Sequence, residues 1–210
     1  MRERLKKSLK TGAMILASVL LAACSNSGNT PQTACPAKTI SQENLVNHEV
    51  KTDINEQEIS DDPQYDVLEA VLKQSGMIMS DSTLGNIKTL TTANIVSSLI
   101  AQGYPVSSAS SWEGFVSALE ENMINVQNVY PIMVKMPNKV FPPTMGESGE
   151  NWMGVFGCKT TPKGEIVSLL VCSPTQTDSQ EHLKLTEISF SQLECLVDYY
   201  GAEEKIEAIF

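Results

Sequence analysis

Apolar residues recur at helical spacing in the first half of the chain and at alternate positions in the second. After Asp62-Pro63, the side chains Tyr65, Leu68, Val71 and Leu72 fall on one face and Gly76 closes the run. An Asp before a Pro predicts an N-cap followed by the first helical position. Met77-Ile78-Met79 is a short apolar run, and Ser80-Asp81-Ser82 turns the chain. A second stripe, Ile95, Val96, Leu99 and Ile100, predicts a helix from about Thr92 that stops at Gly103 and Pro105. The third stripe is Trp112, Phe115, Val116, Leu119 and Met123. Its helix is predicted to start at Ser110, with Glu113 completing a capping box.

From Pro131 the period shortens. Pro131 to Met136 alternates, and Pro137-Asn138 turns it. Trp152 to Thr160 and Glu165 to Ser173 read as strands around Thr161-Pro162-Lys163-Gly164, and His182 to Phe190 alternates again. Both faces of Ile166–Cys172 are apolar, which predicts a central strand. Ser191, with Glu194 three residues on, predicts a C-terminal helix with Leu193, Leu196 and Val197 inward. Gly201 interrupts that helix, and Ala202 to Phe210 is expected to continue it. Residues 45–60 are polar and acidic, and their apolar positions are too widely spaced to predict an element. The expected fold class is therefore α+β: N-terminal helices packed on an antiparallel sheet of about four strands, with a C-terminal helix.

The N-terminus has a different logic. Arg2, Arg4, Lys6, Lys7 and Lys10 precede an apolar run from Ala13 to Ala23. That is the order of a cleaved export signal. The run is too short for a permanent span, which needs roughly 20 apolar residues. It ends in Leu21-Ala22-Ala23-Cys24, which resembles the lipobox of bacterial lipoproteins. The resemblance covers residues 1–25 and implies three things. The Cys24 sulfur takes diacylglycerol, the chain is cut before Cys24, and the new amine is acylated. Each buried methylene contributes about 0.8 kcal/mol, so two or three chains anchor stably where one does not. Ser25 is similar to the second mature residue of outer-membrane lipoproteins in enteric bacteria, which implies an outer membrane facing the periplasm. The predicted organisation is a signal peptide over 1–23, a lipidated flexible tether over 24–44 and one globular domain over 45–210. Twenty tether residues average about 25 Å end to end and reach about 66 Å at most. Cys35-Pro36 interrupts this stretch and is placed to pin it to the domain.

The whole chain carries a formal charge of −10, and removing the basic signal makes the mature part more acidic still. That excludes nucleic acid and anionic membrane surfaces as electrostatic partners. The Thr92 and Ser110 helices resemble a helix-turn-helix in outline, but no basic recognition helix accompanies them. Besides Cys24 there are Cys35, Cys158, Cys172 and Cys195. An even number in an exported chain predicts two disulfides, against the alternative of buried free thiols. Pairing Thr161 with Gly164 sets Cys158 opposite Val167 and Cys172 opposite Met153. Their sulfurs are then roughly 17 Å out of register, which rules out Cys158 with Cys172. Cys35 is accordingly expected to pair with one of them and Cys195 with the other.

One stretch stands out as a candidate binding loop: Phe141 to Trp152, with Glu147, Glu150 and Trp152 as its ligand- or partner-facing residues. Two glutamates act as an acid/base pair only at a set separation across a substrate, and a solvated turn accounts for them more simply. Gly146, Gly149 and Gly154 lack the Lys-Ser/Thr of a phosphate loop. A cysteine with His182 would make a thiol nucleophile only if ionised. His48 and His182, the only histidines, have no partner at metal-ligand spacing, so neither metal nor cofactor is predicted. The expectation is a lipid-anchored envelope protein that acts by protein–protein contact, as a non-catalytic component of an envelope or secretion-type assembly. The alternative is a module that binds a small ligand or cell-wall fragment through the 141–152 loop.

Overall fold

The computed structural model describes residues 30–36, 44–50, 60–77, 90–145, 147–177 and 182–210. The stretch expected to be a signal peptide, Cys24, most of the expected tether and the expected turn at Ser80–Ser82 lie outside the described residues. The elements in order are α1 (Pro31–Ala34), β1 (Val46–Glu49), α2 (Pro63–Gln74), α3 (Thr92–Ala101) and β2 (Ser108–Ala109). Next come α4 (Trp112–Leu119), extended by one π turn (Glu120–Ile124), and β3 (Ile132–Pro137). The chain ends in β4 (Glu150–Thr160), β5 (Ile166–Thr177), β6 (Leu183–Ser189), α5 (Phe190–Tyr200) and β7 (Glu207–Ile209). Among the described residues no helix is long and apolar enough to cross a membrane.

The expectation of about four strands is overturned. Seven strands form one antiparallel sheet in the order β2-β7-β3-β4-β5-β6, with β1 paired to β4. The strand β4 takes two partners along one edge: residues 150–155 pair with β3 and 157–160 with β1. The C-terminal residues do not continue a helix. Gly201, at φ 54°, caps α5 in the left-handed conformation. A short 3₁₀ turn, Glu203–Lys205, then leads into β7, which slots between β2 and β3.

Helices cover both faces of the sheet. On one, α2 and α3 pack Leu68, Val71 and Leu99 against Met133, Trp152 and Phe156. On the other, α4 and α5 pack Phe115, Leu119 and Leu196 against Val134, Val155 and Val171. The central strands are therefore apolar on both sides, as β5 already shows in its sequence. Each such side chain contributes about 1.5–3 kcal/mol relative to exposure.

A bulge at Phe156 shifts the β4–β5 register between Val155 and Gly157. It reverses the alternation, so Met153, Val155 and Cys158 all face the α4/α5 layer while Phe156 joins Trp152 on the other. Two glycines permit close approach here. A Cβ at Gly157 would lie 2.6 Å from the His48 carbonyl oxygen, and one at Gly154 would lie 2.8 Å from Val71 Cγ2. The first lets β1 lie on β4, and the second lets α2 lie on the sheet.

The predicted caps move by one or two residues. Thr91 caps α3, accepting from the Asn94 amide. Ser111, not Ser110, caps α4 by accepting from Gly114 N. Ser189, not Ser191, caps α5 by accepting from Gln192 N. The sequence offers neighbouring serines, and the point where the chain leaves the sheet selects among them: β6 runs into α5 with no loop between. Asp62 stands at the cap position of α2 without a side-chain cap bond. Instead the buried Asp66 carboxylate accepts from the amide and hydroxyl of Ser60, both at 2.8 Å.

Candidate functional site

The 141–152 loop is held from inside. The Asn138 amide N–H donates to Gly149 O at 2.9 Å, its Nδ2 donates to Ser148 O at 3.0 Å, and its carbonyl accepts from Thr144 Oγ1 at 2.9 Å. Phe141 is buried in the α4/α5 layer and Trp152 in the α2/α3 layer, so the two ends of the loop are anchored on opposite faces. Trp152 is only 1% exposed, and its Nε1 donates to Leu90 O at 2.9 Å. This corrects its assignment as a ligand-facing residue: it is a core residue. Glu150 is exposed and lies 2.8 Å from Lys135 Nζ, which also reaches Glu207 at 3.6 Å. The hydrogen bond that Lys135 donates to Glu150 is the largest influence on that ammonium and, with the two carboxylate charges, outweighs burial to hold its pKa above the ordinary value. Thr92, at the start of α3, donates to Glu207 as well. Of the three candidate residues, Glu147 alone faces solvent without an ion pair described here. The structure does not gather Glu147, Glu150 and Trp152 around one space.

The cysteines are arranged otherwise than expected. Cys35 is bonded to Cys195, with their Cα atoms 5.6 Å apart. Cys158 and Cys172 are free and buried. Observed register sets Cys158 opposite Leu169 and Cys172 opposite Gly154. The bulge leaves the two thiols on opposite faces of the sheet: Cys158 in the α4/α5 layer, which also holds Cys35 and Cys195, and Cys172 in the α2/α3 layer. Burial pushes each thiol up to about 12. A thiol in that state is protonated at neutral pH and is a poor nucleophile. The histidine across the ladder from Cys158 is His48, not His182. His48 Nε2 shares a 3.1 Å hydrogen bond with Thr160 Oγ1. Among the described residues no group of three or more His, Cys, Asp or Glu could hold a metal ion.

A polar group lies on the sheet where β4, β5 and β6 run side by side. Lys159 Nζ is 2.8 Å from Glu187 Oε2, and Ser168 Oγ donates to Glu187 Oε1 at 2.6 Å. Burial alone would raise the Glu187 carboxyl. The hydrogen bonds from Lys159 and Ser168, with the Lys159 charge, outweigh it and hold the group below its ordinary range.

The most site-like feature is a cavity that sequence reasoning did not find. It has a volume of about 380 Å³. Its position follows from where the helices sit: α2 lies over β4 and β5, α3 lies over β7, and the space between them is left above β3. Leu68, Val71 and Leu72 form one wall, Ile95 and Leu99 the other, and Met133 and Ile209 the floor. Tyr104, Val106, Tyr130 and Met77 stand at the rim. Among the described residues no charged side chain lines it. A sealed, dry void of this size would cost on the order of 9 kcal/mol, as much as the stability of a whole domain. The cavity is open at the rim, where Tyr130 is 48% exposed. Its lining comes from several separate segments, each of which reads as ordinary core, so the sequence carries no signal for it.

Comparison of the chain with protein-family models, with curated proteins and with solved structures found no match.

Proposed function

We propose that the protein is a bacterial envelope lipoprotein, anchored through Cys24 in the outer membrane and facing the periplasm, whose domain works by contact with a protein partner of an envelope assembly. The observation that carries this reading is the Cys35–Cys195 disulfide. Such bonds form and persist in oxidising compartments outside the cytosol. The bond also sits where an anchor needs it. From Cys24 to Thr30, the first described residue, six residues span about 20 Å at most. Gln192 Nε2 donates to Cys35 O at 3.1 Å and reinforces the attachment to α5. Tension on the anchor is then delivered to a packed helix rather than to the edge strand β1. The attachment lies on the α4/α5 face, so the α2/α3 face is left for other contacts.

The test is isolation of the crosslinked protein from membranes of its own organism, beside a Cys24→Ser control, with mass spectrometry of the N-terminal peptide. The expected result is a diacylated Cys24 peptide and a discrete partner that is lost in the control. An unmodified Cys24, or a clean monomer in both preparations, would overturn the reading.

A further inference from the structure

We infer that the cavity between α2 and α3 is a binding site for a small, uncharged, apolar molecule. The space lies within the range of ligand pockets, about 300–1,000 Å³, and exceeds the roughly 150 Å³ of an apolar cavity that takes up benzene. At about 380 Å³ it suits a medium-length alkyl chain or a two-ring compound. The site is built into the fold, because it is set by the separation of two helices seated on different strands.

Chemistry selects the occupant. The walls and floor are aliphatic, and among the described residues no charged side chain lines the space. A charge carried inside would lose its hydration with nothing to replace it. Two half-buried polar side chains of the lining already donate hydrogen bonds within their own helices: Ser75 Oγ to Val71 O, and Asn122 Nδ2 to Ala118 O. The exposed phenol of Tyr130 at the rim can meet a single hydroxyl or carbonyl. The chain's formal charge of −10 repels anions on approach, so a neutral alcohol is preferred over the carboxylate of the same length. The site lies on the face away from the Cys35–Cys195 attachment, and its occupancy does not depend on Cys24 being lipidated.

The experiment uses the full chain held in a fluorinated surfactant, with a diazirine-bearing decanol as probe. After irradiation, adducts are mapped by mass spectrometry. Adducts are expected in 68–77, 95–106 and 130–133. Decanol should compete at least about tenfold better than decanoate. Leu99→Trp, which fills the space, should abolish the adducts. Val106→Trp at the half-buried rim repeats the test with less risk to the core, and thermal unfolding of both variants is recorded. Adducts spread over the exposed surface, adducts that persist in a folded Trp variant, or equal competition by decanoate on the native chain would each overturn the proposal.

Discussion

Cys35 and Cys195 are bonded across 160 residues of sequence, and this bond joins the residue that follows α1 to the middle of α5. Closing so long a loop restricts the unfolded chain far more than the folded one, worth about 2–4 kcal/mol if the bond is unstrained. The Cys195→Ser variant should therefore unfold at lower denaturant concentration, with a stability loss of about 2–4 kcal/mol. Limited proteolysis should at the same time release residues 30–36. Dithiothreitol should reproduce the effect in the native chain and leave the variant unchanged. A variant as stable as the parent would show that the bond contributes nothing to the fold.

The legible part of the fold was the part with a long enough period. The stripes of α2, α3 and α4 and the alternation of β3 to β6 are each carried by several residues. Strands β1, β2 and β7 have two to four residues each, too few for alternation to separate from chance. They are strands because β4 offers an edge to β1, β3 to β7 and β7 to β2, which is a tertiary fact. Trp152 was readable in principle: it begins the alternation that continues through Phe156, and its place at the end of a glycine-containing loop drew attention the other way. Cysteine counting failed for a related reason. Whether four cysteines form two bonds depends on which thiols the folded sheet brings together, with Cα atoms within about 7 Å, and spacing along the chain does not encode that. The cavity is a distance between helices, which no pattern within either helix encodes.

The two free thiols give a chemical and a pH-dependent test. Burial raises each from 9.0 to about 12. Iodoacetamide at about pH 8 should leave Cys158 and Cys172 untouched in the folded protein and alkylate both in guanidinium without reductant, because only the thiolate reacts. A group whose folded pKa is raised contributes stability that is fully present below its unfolded value. That contribution is lost as pH rises through the folded one, so the window here is about pH 9 to 12, with a slope of up to about 1.4 kcal/mol per pH unit for each thiol. Replacing both with Ala should flatten this alkaline limb against the parent. Alkylation of the native protein at pH 8 would contradict the burial.

Gly157 lets β1 approach β4. In Gly157→Ala the added Cβ would lie 2.6 Å from the backbone oxygen of His48 and 3.0 Å from Glu49 Cα. Backbone atoms cannot yield as a flexible side chain does, so the expected cost is about 1–3 kcal/mol. The damage should be local. Hydrogen exchange should quicken for amides in 46–50, including Val50, whose N–H donates to Phe156 O. Amides shared by β5 and β6 should keep their protection. Uniform loss of protection across the sheet would mean that β1 is integral to the core rather than added at its edge.

Glu187 provides the acid-side counterpart. Four influences meet on its carboxyl: burial pushes the pKa up, while the hydrogen bonds from Lys159 and Ser168 and the Lys159 charge pull it further down. Lys159→Met removes the ammonium and keeps much of the side-chain volume. Burial then dominates, and the Glu187 titration followed by NMR should move upward in the variant. The effect on stability is small because the pair is partly exposed, at 19% and 34% for the two side chains. Such pairs are worth about 0–1 kcal/mol. A depressed folded pKa contributes stability above the unfolded value and loses it as pH falls through the folded one. The parent should therefore be slightly more stable than the variant at neutral pH, and the gap should close as pH falls through the lowered folded-state value of Glu187. A Glu187 titration unchanged by the substitution would show that Lys159 does not set it. A gap that persists to low pH would trace the difference to lost packing by the lysine stem rather than to its charge.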